Sequence, residues 1–64
     1  MTTQQKRILH ENAAILLLEI EEQENYIEVC KKHDNDAYFN QRKEAAEAIK
    51  ANKLNKYNEL IEQL

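Results

Sequence analysis

None of the chain's 64 residues is glycine or proline. Tight turns, bulges and strained loops draw on those two types, because glycine reaches positive φ freely and proline pre-sets a turn. A fold of many turns is therefore disfavoured, and the expectation is long helix with one break. One or two helices enclose little interior in which to build an active site. They leave ample surface for gripping another protein.

A chain of this size is one small domain. Below roughly 70–80 residues a single core rarely supplies more than ~3–5 kcal/mol, so such chains lean on staples or a partner. The lone cysteine, Cys30, rules out an intramolecular disulfide, and no metal framework is evident. No cofactor is expected. Self-association is the expected source of the missing stability, with the chain as its own partner.

The formal net charge is −3. That gives no pull toward nucleic acid or an anionic membrane. Met1 to Gln5 is polar, so no signal peptide is expected, and the longest apolar run, Ala13–Leu18, is far short of a membrane span. A single reduced thiol fits the cytoplasm.

Thr2 and Gln5 have the spacing of a capping box, which satisfies two free amides at a helix start. From there Leu9, Ala13, Leu16, Ile20, Gln23, Ile27 and Cys30 advance by alternating steps of four and three. That rhythm marks a helix seam. Ile8, Ile15, Tyr26 and Val29 widen it on one side, as suits a helix with more than one neighbour.

The break falls at His33-Asp34-Asn35-Asp36. Asp and Asn side chains compete with helix by bonding nearby backbone, and Asn tolerates the left-handed conformation that often closes a helix. Asp34 or Asp36 is placed to cap the second helix. That helix carries Tyr38, Phe39, Ala45, Ala46, Ile49, Leu54, Tyr57, Leu60, Ile61 and Leu64, with Arg42 and Lys53 interrupting the stripe. The expected fold is all-α: a helix from about 3 to 32, a turn at 33–36 and a helix from about 37 to 63, folded as an antiparallel hairpin.

Charge supports the fold-back. Glu19, Glu21, Glu22, Glu24 and Glu28 make the first helix acidic, while Arg42, Lys43, Lys50, Lys53 and Lys56 make the second basic. One continuous helix in a parallel coiled coil would set the acidic stretch against its own copy. Pairing two hairpins into a dimeric four-helix bundle closes the apolar faces that one hairpin leaves open. The expected core and dimer residues are Leu9, Ala13, Leu16, Ile20, Ile27, Cys30, Ile49, Tyr57 and Leu60.

Side chains with catalytic chemistry are few. Cys30 and His33, three apart, could form a thiol–imidazole pair or part of a metal site. The plainer reading is a seam cysteine beside a helix-ending histidine, since zinc wants four ligands. His10 and Glu11 are adjacent and diverge on a helix. With no serine or glycine there is no nucleophile elbow and no phosphate-cradling loop. No catalytic and no metal-ligating residue is expected. Leu17 and Leu18 lie roughly 80° and 180° from Leu9 by helix rotation. With the aromatics Tyr26, Tyr38 and Phe39, they are the candidate contacts for a different protein.

Met1-Thr2, Gln4, Lys6 and Leu9 make the opening similar to that of the Rop family of plasmid copy-number proteins. That resemblance implies a helical hairpin that dimerises into a four-helix bundle and binds an RNA pair. Where that family places its RNA-contacting side chains, this chain has Thr3, His10, Ala14, Leu18 and Asn25. None of them matches, so RNA binding is not carried over and nucleic acid is not the expected partner. In size, in its Lys-, Asn- and Glu-rich helical composition and in its expected paired hairpin, the chain also resembles the early proteins of the exo–xis region of lambdoid phages. That resemblance implies a phage accessory protein that acts by binding a host or phage protein and alters host physiology. The expected function is thus a non-enzymatic interaction module, with a small nucleic-acid-binding regulator as the alternative.

Overall fold

The computed structural model describes residues 1–64. It is all-α, with α1 at Thr3–Lys31 and α2 at Ala37–Gln63. The two helices pack along their length as an antiparallel hairpin, 51 × 14 × 11 Å in extent.

Both helix starts are capped by side chains. The Thr2 hydroxyl accepts from the Gln5 N–H at 3.1 Å, and the Thr2 N–H donates to Gln5 Oε1 at 2.9 Å. This is the capping box expected from the sequence. At α2 the capping residue is Asp36, whose Oδ1 accepts from the Tyr38 N–H at 2.9 Å. Caps of this kind stabilise a helix by about 1 kcal/mol each.

The turn differs from the expectation in its means. The sequence offers Asn35 as a left-handed residue, but no residue has positive φ. The chain instead tightens into turns closed three residues back. Lys32 N–H donates to Val29 O at 3.2 Å, His33 N–H to Cys30 O at 3.0 Å, and Asp36 N–H to His33 O at 3.0 Å. Such i→i−3 bonds satisfy the carbonyls at a helix end without the left-handed conformation. The Asn40 amide also donates to Asp34 O at 3.0 Å, tying the turn to α2. Lys32 is thus the cap of α1 rather than part of it.

The α1 seam is the one the spacing predicts. Ala13, Ile20, Ile27 and Cys30 are buried, and Leu9, Leu16 and Gln23 are half-buried. The α2 seam is not the one the apolar stripe predicts. It runs Phe39, Lys43, Ala46, Lys50, Lys53, Tyr57 and Leu60, again by steps of four and three. Only Ala46 is fully buried. Ile49, expected in the core, lies beside this seam and is 44% exposed. Ala46 takes the interior position because a small residue lets the helices approach, while lysine stems cover apolar neighbours and send their heads to water.

Candidate interaction surfaces

Two lysines of the seam reach to opposite flanks of the hairpin. Lys53 pairs with Glu19 on one side. Lys50 pairs with Glu24 on the other, at 3.4 Å. The sequence expects acidic α1 to lie beside basic α2, and these pairs realise that arrangement and fix its register. They place residue 19 level with 53 and residue 24 level with 50.

Each flank carries exposed apolar side chains. On the Glu19 flank, α1 presents Ile8, Ile15 and Val29, a row at seven-residue intervals in which Glu22 takes the remaining place and which Met1, ahead of the helix, continues in sequence. Tyr26 lies beside this row, and Tyr38 and Ile49 face the same way from α2. Arg42 belongs here too, with its guanidinium carbon 5.1 Å from the centre of the Tyr38 ring. Partial burial raises the Tyr26 hydroxyl pKa above its ordinary value, with the Cys30 thiol adding to the shift and Arg42 opposing it. At the open end, Met1, Gln5, Ile8, Leu9 and Gln63 line a shallow depression. This is the broad flank, and it runs the length of the molecule.

The opposite flank is narrower. Leu17 from α1 and Leu54 and Ile61 from α2 are its exposed apolar residues. Toward the turn it passes into Glu47, Lys31 and Lys50, which surround Ile27 and Leu54. Leu18 lies on the back of α1 next to this flank and is 61% exposed.

The candidate partner contacts of the sequence therefore separate. Tyr26 and Tyr38 fall on the broad flank, and Leu17 and Leu18 on or beside the narrow one. Phe39 joins neither. It is half-buried in the seam, stacked on the His33 ring at 4.5 Å between centroids and 22° between planes. Tyr38 meets it edge-on at 5.4 Å. The sequence places Ile8, Ile15, Tyr26 and Val29 together on one side of the seam, and they lie exposed on one flank, but it does not single out Leu54 and Ile61 as one surface. Their seven-residue spacing was the signal that could have found them.

The chemistry-bearing side chains are held in structural roles. Cys30 is 1% exposed, and the imidazole of His33 lies on Phe39. Glu11 accepts from Arg7 Nε at 3.2 Å, and Lys31 Nζ donates to Glu28 at 3.3 Å. No three His, Cys, Asp or Glu side chains converge as metal ligands. No helix is long and apolar enough to cross a membrane.

No protein-family model, curated protein or solved structure matches this chain. The class that fold and surface define is a two-helix hairpin with apolar side chains exposed on both flanks.

Proposed function

We propose that this chain is a non-enzymatic protein-interaction module, acting in the cytoplasm as an accessory protein of a phage or other mobile element on a host or phage protein. The observation that carries the reading is the presence of exposed apolar side chains on two opposite flanks of one hairpin. Internal packing of two helices requires neither flank, and contiguous exposed apolar surface marks interaction sites. The partner-binding surface is the narrow flank, Leu17, Leu54 and Ile61, together with Leu18. The resemblance in size and composition to lambdoid-phage early proteins supports the mobile-element setting. The absence of catalytic activity is supported by the employment of Cys30, His33 and Glu11 in packing and pairing.

The alternative, an RNA-binding regulator of the Rop kind, needs a basic face. Lys50 and Lys53 are tied to carboxylates across the seam, and Arg42 covers Tyr38, which leaves that face weak. Capture from a host extract with the native protein and with Leu17→Glu tests the proposal. A specific protein retained by the first and lost by the second is expected. Retention of an RNA instead, with affinity falling steeply as salt is added, would favour the alternative.

A further inference from the structure

We infer that the broad flank is covered by a second copy of this chain, giving a two-fold four-helix bundle in which α1 of each copy lies on α2 of the other. The hairpin alone has a thin interior. Its buried residues are Ala13, Ile20, Ile27, Cys30 and Ala46, and two of these five are alanine. A folded chain this small needs more apolar burial than that. The cover must be present whenever the chain folds, and a second copy is the partner that always is.

The extent of the surface fits. Ile8, Ile15, Tyr26, Val29, Tyr38 and Ile49 are between 38% and 55% exposed. Together they leave on the order of 500 Å² per copy, hence about 1,000 Å² for two, where specific interfaces begin. The row runs the full length of the hairpin, as packing along a bundle requires.

Charge selects the arrangement. The Glu19–Lys53 and Glu24–Lys50 pairs set the heights of residues along the two helices. With the two-fold axis parallel to the hairpin, Tyr26 comes nearly level with Ile49 and Val29 with Ala45 of the second copy. Glu22 comes level with Asn52 and Glu19 nearly level with Lys56 of the second copy. With the axis crossing the hairpin at its middle, Ile15 would instead face Glu22 of the second copy. The first arrangement sets the apolar residues nearer the turn on one another and Glu19 by Lys56, with Ile15 level with Asn58 of the second copy. Both turns then lie at the same end of the bundle, and Tyr26 and Tyr38 belong to self-association rather than to a different partner.

The test is the mass in solution by light scattering across a dilution series of the native chain. Twice the chain mass is expected, and a folded monomer at every concentration overturns the proposal. Ile15→Lys buries a charge in the interface and is expected to raise the dissociation constant at least ~10-fold, while Leu17→Lys on the narrow flank leaves it unchanged. If Ile15→Lys fails to fold, charge exchange at exposed positions decides. Asn52→Glu, level with Glu22 of the second copy, weakens the dimer, and Asn52→Glu with Glu22→Lys restores it. A dimer indifferent to the charge exchange, or one broken by Leu17→Lys alone, overturns the assignment of this flank. The inference is separable from the partner-binding reading: a dimer that captures nothing leaves it standing, and a monomer that captures a partner through Leu17 does not.

Discussion

Lys53 occupies an interior position of the α2 seam and delivers its ammonium to the carboxylate of Glu19 on the facing helix. The side chain is 25% exposed and that of Glu19 is 37% exposed. The pair is therefore wet enough for its Coulomb attraction to be small, ~0–1 kcal/mol. Its larger effect is on register, because a lysine at a seam position accepts only alignments that bring a carboxylate within reach.

Replacing that lysine by a residue suited to the site is expected to stabilise the fold. Lys53→Leu buries apolar surface where a stem now lies and leaves Glu19 free to turn to water. A gain of about 1 kcal/mol is expected, from area removed from water less the small ion-pair loss. A thermal midpoint higher by roughly 4–8 °C in circular dichroism corresponds to it. A lower midpoint would mean that the ion pair outweighs the packing.

Truncation separates the seam from the outer surface. Ile20→Ala deletes buried methyl groups against α2 and is expected to cost about 2–5 kcal/mol. Leu18→Ala, on the exposed back of the same helix, is expected to fall within ~0.5 kcal/mol of the native protein. Urea titration of the two variants at equal chain concentration checks the contrast, and similar losses would put the seam elsewhere.

Tyr26 gives the fold a dependence on alkaline pH. Its hydroxyl is raised above 10.0 by partial burial first and by the neighbouring Cys30 second. The folded chain therefore holds this proton longer than the unfolded chain does. Its contribution is fully present below pH 10.0 and is lost as pH rises through the folded value. The phenolate absorbance of the native protein minus that of Tyr26→Phe should rise with a midpoint above pH 10.0. A midpoint at or below that value would place Tyr26 in open water.

Much of the fold was legible because α1 obeys simple rules. Thr2 and Gln5 announce the start, and Leu9 to Cys30 give the seam without a misplaced residue. In α2 a reading by hydrophobicity favours Ile49 over its neighbours. It discounts Lys43, Lys50 and Lys53, which are half-buried. Lysine misleads such a reading because its four-carbon stem is apolar and only its end is charged. The turn was located by its Asp and Asn residues, yet its geometry depended on backbone bonds that no side chain advertises. The two flanks became distinct only once the register was known. Until α2 is placed, Tyr26 and Leu17 are both merely off the seam.

Cys30 is the chain's one thiol, and it closes the α1 seam at the last turn before the connection. At 1% exposure it is shut away whenever the helices are together. A thiol reagent can reach it only when the hairpin parts near the turn, so its rate of alkylation counts those openings. The molecule therefore carries its own clock for local separation of the helices, read from a native side chain with no residue substituted.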